Sequence, residues 1–439
     1  MPHGGRGSRV ALSLVSGVPG ARGTSPFLDG LLALRLARDG SMQVLRTDGR
    51  EAHGQLGHRP LAPTSMIDTS TYLPAASCLH LQTVRGHRIS VELPKPSDLA
   101  PIRGRPTIYL DQNHWSVLAH TIHRPDRVRN GDELTAAKRL IELAANRAVI
   151  LPMSAGHVSE TCNQVNAEER YERALTLAQL SAGWQLRDPL DIRRFELRQA
   201  LTVRYRQLCL VPPAGVTLEP NAAIASRDVT HSDIGSDLPP DARWVLHAIR
   251  CASGILDAML DAEHVPMNEV PGWAPQFERF AKFLAEDPTG PEMKRRRTHA
   301  KFIADLGREL PEEAHRARVT PEQMSDWTLR HSEIDLRGLP VLGLYREVLH
   351  EKLCNTALRW KPNDLTDMMY LTAAAGHCDY VVAERSHAAH LQSGLRRLGR
   401  SLNIHRSMRE MLEKLPTDVS SASDANSNSE RVPPSTKHP

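Results

Sequence analysis

The chain has 439 residues, 40% hydrophobic, 24% charged and 4% aromatic, with a formal net charge of +4 at pH 7. That length supports two or three domains and a sizeable core, and no apolar run approaches the ~20 residues of a membrane span. The mild basic excess permits a polyanionic partner without demanding one, while so few aromatic rings leave little stacking platform for single-stranded nucleic acid.

Residues 1–27, rich in Gly, Ser, Arg and Pro, read as a disordered N-terminus. Within them Arg6 and Arg9 precede Val10–Val15 in the manner of a signal peptide, but the apolar core is short and broken by Ser13 and Ser16. From Leu31 the pattern changes. Leu32-Ala33-Leu34-Arg35-Leu36 and Met42-Gln43-Val44-Leu45-Arg46-Thr47 flank Asp39-Gly40. Leu79 to Val84 and Ile89 to Leu93 flank Arg85-Gly86-His87. Alternating apolar residues around Gly-containing turns predict β-hairpins. A small antiparallel β module is expected over 28–103, its strands ending near 95 and a Pro-containing linker (Pro94, Pro96, Pro101, Pro106) following. It carries no recognisable chemistry.

Thr107 to Leu110 reads as a short buried strand, with Asp111, Asn113 and His114 where it gives way to a helix. Asp111 is an N-cap on one reading, since Asp accepts backbone N–H bonds there. On the other it is a carboxylate at the C-terminal edge of a parallel sheet, where ligands bind. Glu133–Asn146 has helical periodicity, Ala148–Leu151 is a second buried strand ended by Pro152, and Ser154 caps a helix through Glu160. This is the strand–helix alternation of a parallel sheet. Residues 167–355 break it with helices expected near 167–184, 190–209, 241–264, 275–286, 292–316 and 341–355, a large helical insertion. Inside it Lys294-Arg295-Arg296-Arg297 is the densest positive run. Such a run is a solvated helix face or a contact to phosphate backbone.

The α/β pattern resumes at Pro362-Asn363-Asp364, which opens a helix carrying Asp367. Tyr380–Ala383 is a third buried strand, Glu384-Arg385-Ser386 follows it, a helix runs from His387 to Leu398, and Leu402–His405 is a final strand. The domain so defined covers 104–415, and the Ser/Asn/Asp/Pro-rich residues 416–439 are expected to be a disordered tail.

Asp111, Glu160, Asp367 and Glu384 occupy comparable ends of this frame, with Asp364 one helical turn from Asp367 as a rival for its role. Separately each has a structural explanation: capping, helix dipole, or a solvated surface. Together they predict a carboxylate cluster at one sheet edge. Two like charges about 4 Å apart repel by about 4 kcal/mol at an effective dielectric near 20, so such a cluster calls for a cation. Hard oxygen ligands select Mg²⁺ or Mn²⁺, ions that activate water in phosphodiester hydrolysis.

Ile108-Tyr109-Leu110-Asp111-Gln112-Asn113 resembles the opening D-x-N strand of the PIN-domain-like metal-dependent ribonucleases. Ser154-x-x-His157-x-x-Glu160 resembles that family's second acidic position, and the stretch from Asp367 through the Ala-rich helix to Glu384 resembles its third. The resemblance covers roughly 104–165 and 362–405. It implies an α/β, PIN-like three-layer fold with a central parallel sheet, interrupted by the helical insertion and preceded by the β module. It implies an endoribonuclease that hydrolyses RNA, with Asp111, Glu160 and Asp367 holding Mg²⁺ or Mn²⁺ and Asn113 orienting the first carboxylate or touching substrate. Where the family has Thr-x-Asp after the last strand, this chain has Ala383-Glu384-Arg385. Glu384 is a longer substitute, or Arg385 takes that place and binds phosphate. Lys294, Arg295, Arg296 and Arg297, with Arg396 and Arg397, are further candidates for the RNA backbone.

The alternative is a catalytically inactive PIN-like module that binds RNA or protein, motivated by the altered Ala383-Glu384-Arg385 segment. RNA versus DNA, one ion or two, a toxin-like activity restrained by an antitoxin-like protein partner, and the oligomeric state stay open. His114, His157, His377 and His387 are weaker candidates for phosphate or proton transfer. Cys78, Cys162, Cys209, Cys251, Cys354 and Cys378 include no C-x-x-C pair, which fits free thiols in a cytoplasmic, reducing setting and gives no zinc-ligand spacing. P-loop, G-x-G-x-x-G, H-E-x-x-H and G-x-S-x-G motifs are absent.

Overall fold

A computed structural model describes residues 27–56, 60–94, 102, 104–224, 238–261, 273–355 and 357–416. The expected loose ends, 1–27 and 416–439, lie outside the described residues except for Phe27 and Pro416. The architecture is mixed α/β, with an antiparallel N-terminal sheet and a small parallel sheet.

Six strands form the N-terminal sheet: β1 (Leu31–Ala37), β2 (Ser41–Arg46), β3 (Glu51–Gln55), β4 (Ile67–Leu73), β5 (Cys78–Thr83) and β6 (Arg88–Glu92). They lie in the order β3-β2-β1-β4-β5-β6, every neighbouring pair antiparallel. The period-2 pattern sends Leu34, Leu36, Leu79, Leu81 and Ile89 into the core.

The next elements build the parallel sheet and its first helices: β7 (Ile108–Leu110), α1 (Gln112–His123), α2 (Gly131–Ala145), α3 (Ala155–Cys162) and α4 (Ala167–Ser181). The expected second strand at 148–151 is reduced to one parallel bridge, Thr107 to Ile150. Ile108 N–H and Ile150 N–H each donate across it at 2.8 Å. The chain then turns at Pro152, which has no N–H to extend a ladder, and Met153 bridges instead to Gln185.

The helical region contains β8 (Gln185–Leu186), α5 (Pro189–Arg206), β9 (Val216–Thr217), α6 (Pro240–Leu260), α7 (Trp273–Glu286), α8 (Pro291–Asp305), α9 (Glu309–Arg316), α10 (Pro321–Asp326), α11 (Ser332–Gly338) and α12 (Pro340–Cys354). Two boundaries differ from expectation. The helix expected over 167–184 stops at Ser181, because Ala182 turns left-handed (φ 48°) and Gly183 follows at φ +89°. A Cβ on Gly183 would lie 2.3 Å from Val91 Cγ1, so close packing on β6 requires glycine there. The helix expected over 292–316 is two, α8 and α9, broken around Leu306-Gly307. The short pair β8/β9 and the helical stretch 321–338, with its π-helical turn Trp327–His331, had no expectation.

The chain closes with α13 (Asp364–His377), β10 (Tyr380–Val382), α14 (Arg385–Leu398), β11 (Ile404–His405) and α15 (Met408–Leu412). The parallel order is β11-β10-β7, with Val382 level with Leu110 on one side and His405 on the other. Alternate side chains face opposite cores. Ile108, Leu110 and Val382 join one apolar cluster, and Tyr109, Val381 and Ala383 join another. The first cluster also holds Leu34, Leu79 and Ile89 of the antiparallel sheet, with Tyr171 of α4 and Val245 and Ile249 of α6. Polar ties reinforce that junction. Asp257 accepts from Ser65 Oγ (2.9 Å) and Met66 N–H (2.7 Å), and Asp241 accepts from Leu28 N–H (3.1 Å). Among the described residues no helix is long and apolar enough to cross a membrane, and all six cysteines are free.

Candidate metal centre

The C-terminal edge of the parallel sheet gathers the acids. Asp111 leaves β7 as the N-cap of α1, its Oδ1 accepting from Gln112 N–H at 2.8 Å. Its Oδ2 faces the end of β10, 3.4 Å from Glu384 N–H. Capping and cluster membership therefore coexist, one oxygen for each.

Glu160 reaches this edge because α3 is fastened to β7 by His157. That ring donates from Nε2 to Leu110 O (2.8 Å) and accepts at Nδ1 from Ser154 N–H (3.2 Å), while Ser154 Oγ accepts from His157 N–H (3.3 Å). The result is a capping box with His in the place usually held by Glu or Gln. The imidazole also stacks on Tyr109 (ring centroids 4.9 Å apart) and meets the edge of Trp115. Burial holds its pKa down to about 4, so the ring is neutral and structural. Tyr109 Oη and Ser154 Oγ share a further bond of 3.0 Å.

Asp364 and Asp367 come from the first turn of α13, and His387 from the first turn of α14. His387 lies between two carboxylates, Nδ1 4.0 Å from Asp111 Oδ2 and Nε2 3.9 Å from Asp367 Oδ2. Both separations are too long for hydrogen bonds, so the interaction is one of charge. A donor atom from each of Asp364, Asp367 and His387 lies within 4.8 Å of the others, a grouping that could hold a metal ion.

The electrostatics record the crowding. Burial first, then the charges of Asp367 and Asp111, push Glu160 up to about 7, with Arg173 of α4 opposing. Burial pushes Asp367 up to about 6; His387 offsets part of this, while Asp111, Asp364 and Glu384 add to it. Burial, the largest single influence, would raise Asp111 too, but His387 together with the N–H groups of Gln112 and Glu384 outweighs it and holds that carboxyl below its ordinary value. The same pairing raises His387. Asp111, Glu160, Asp367 and Glu384 thus act on one another's charge. A bound divalent cation would relieve the repulsion, and the donor set of carboxylate oxygens with one imidazole nitrogen fits such an ion.

The other sequence candidates are placed as follows. Asp364, rival to Asp367, is buried and ion-paired with Lys352 Nζ at 2.7 Å, and it accepts from Lys361 N–H. It is therefore partly neutralised already. Glu384 is exposed and accepts from Asn113 Nδ2, so Asn113 orients the last carboxylate rather than the first. Arg385 is exposed at the start of α14. The basic run is largely consumed by local acids: Arg295 bonds Glu347, Arg296 reaches Glu292 at 2.8 Å, and Arg297 pairs with Asp287. Lys294 has no such partner among the described residues. Arg397 is likewise tied to Glu347 and Glu351. His377 is half-buried, its Nε2 shielded from solvent and without a partner among the described residues; it lies outside the group of donors, and burial pushes the Cys378 thiol well above its usual range. Reading the sequence underrated His387, whose only local signal is its place three residues after Glu384, and missed Arg173 and Lys352, which sit far away in sequence on other helices.

No protein-family model matches the chain, and neither a curated protein nor a solved structure matches it significantly.

Proposed function

We propose that the protein is a divalent-metal-dependent, PIN-like endoribonuclease that hydrolyses RNA phosphodiester bonds at the carboxylate-rich edge of the parallel sheet. The observation that carries this reading is the meeting of Asp111, Glu160, Asp367 and Glu384 from four separate parts of the chain, with two of the four raised in pKa by burial and mutual repulsion. Asp111, Asp367 and Glu160 would hold Mg²⁺ or Mn²⁺, with His387 as an added nitrogen ligand. Such an ion, when bound, supplies an activated water and a polarised phosphoryl oxygen. The chain does the rest. His157 fixes α3 so that Glu160 faces Asp111, Asn113 holds Glu384, and Lys352 holds Asp364 in place by an ion pair.

The test is cleavage of RNA with Mg²⁺ or Mn²⁺ by the wild type, Asp111→Asn and Asp367→Asn. Loss in both variants, with the fold retained, is expected; equal cleavage by all three rejects the assigned centre. One observation favours a second reading, an inactive RNA- or protein-binding module. Glu384 is occupied by Asn113 and Asp364 by Lys352, which leaves fewer free carboxylates than the sequence promises. In that case Mn²⁺ leaves the melting temperature unmoved in wild type and Asp111→Asn alike.

A further inference from the structure

Beside the acids, the same sheet edge opens into a shallow, open hollow of about 650 Å³ lined by Asn113, His114, Glu384, Arg385, Ser386, Ala389 and Arg406. Its position follows from strand register. Leu110, Val382 and His405 are level with one another, so Asp111, Glu384-Arg385 and Arg406 emerge side by side along the edge. Two strand spacings, about 10 Å, separate the Asp111 strand from the Arg406 strand.

Three independent features make this hollow anionophilic. Helix α14 has no side chain capping its N-terminus, so its first-turn N–H groups and the positive end of its dipole face outward. The guanidinium groups of Arg385 and Arg406 have no acceptor among the described residues, unlike those of the α8 run. Finally His114 is nine-tenths buried, lines the hollow, and has neither ring nitrogen hydrogen-bonded. A buried polar group without a partner costs about 1–3 kcal/mol, and a ligand oxygen would supply the missing bond. The one carboxylate present, Glu384, is held by Asn113.

We propose that this hollow seats a backbone phosphate of single-stranded RNA beside the one presented to the acid cluster, with Arg385 and Arg406 as charge partners and His114 donating from a ring nitrogen. The assignment rests on the nuclease reading for its neighbour but not for its own chemistry. An RNA strand crossing the edge from the acids passes over both guanidiniums. Phosphate contacts of this kind fix register without reading bases.

The experiment is fluorescence anisotropy of a 5′-labelled oligouridylate with the full chain in EDTA, so that binding is read without metal-dependent cleavage. Arg385→Ala/Arg406→Ala should weaken binding about tenfold or more and lower the slope of log K against log salt by about 0.7, the contribution of one single-strand phosphate contact. His114→Phe should cost about tenfold, the worth of one hydrogen bond to a charged group. Melting temperatures should stay at the wild-type value in the arginine variants, whose side chains have no partner among the described residues to lose, and should not fall in His114→Phe, which removes an unpartnered buried polar group. Arg296→Ala serves as the control with unchanged binding. Wild-type affinity and salt slope in the double variant, or no RNA binding by the wild type, overturns the proposal. The two readings fail separately. A chain that binds through these residues yet cleaves nothing with Mn²⁺ keeps the phosphate site and loses the nuclease. A chain that cleaves while the double variant binds and cleaves normally does the reverse.

Discussion

Two charged regions of the molecule invite comparison: the basic run on α8 and the acidic edge of the parallel sheet. In sequence the first is denser, four consecutive cations from Lys294 to Arg297. In the fold it is mostly paired. Arg295 reaches the buried Glu347 from 52 positions away, and Arg346 and Arg397 converge on the same carboxylate. The acids at Asp111, Glu160, Asp367 and Glu384 are scattered over 273 positions, yet they meet with His387 and Arg173, among the described residues, to offset them. Charge left without a counterion after folding points to function more reliably than charge that is merely abundant.

That contrast can be broken most sharply by Asp111→Asn set against Arg295→Ala. The first should lose more RNA cleavage than the about 10–100-fold typical of an outer-shell partner while keeping the fold. The second should keep cleavage per folded molecule and lose stability. Glu347→Ala carries the second effect further. It should cost on the order of 3–5 kcal/mol in denaturant unfolding, because Arg295, Arg346 and Arg397 lose a buried partner. If Arg295→Ala abolishes RNA cleavage at unchanged stability, the two regions have been assigned the wrong way round.

A titration of Mn²⁺ sharpens the acidic side. At a hundred times its dissociation constant a ligand of the native state adds about 2.7 kcal/mol, and differential scanning fluorimetry should register this in wild type and not in Asp367→Asn. The pH dependence comes next. Glu160 and Asp367 both have folded pKa values above their unfolded ones. Their contribution is therefore fully present below about pH 4 and lost as pH rises through 6 and 7. In EDTA the melting temperature should fall over that window, and Asp367→Asn should flatten the fall; a flat wild-type profile would remove the electrostatic argument for a cation. The smallest effect belongs to Arg296→Ala. Its exposed pair with Glu292, one helical turn away, is worth about 0–1 kcal/mol.

How much of this could be read beforehand follows from the range of the forces involved. The hydrophobic runs at 107–110 and 380–383, the Ser154 cap and the Asp364 helix start are local patterns, and each lies where the sequence predicts it. The β-hairpins are legible for the same reason, though not the order in which the six strands pair. The strand at 148–151 shrank to one bridge because Pro152 and the competing contact of Met153 with Gln185 act at a distance. The split of α8 from α9 and the early stop at Ser181 depend on tertiary fit, as the contact of Gly183 with Val91 illustrates. At the site, the spacing of acids was visible. The imidazole between Asp111 and Asp367, the ammonium on Asp364 and the exchange of Asn113 from the first carboxylate to the last were not, since each joins residues more than ten positions apart.

The apolar cluster that Leu34, Leu79 and Ile89 share with Leu110, Trp115 and Val382 has a practical corollary. Trimming the gene at the proline linker to isolate the parallel sheet would strip one wall from the strand that presents Asp111. Such a fragment should come out of the cell aggregated or proteolysed, and the six-stranded sheet, silent in chemistry, is what keeps the acidic edge presentable.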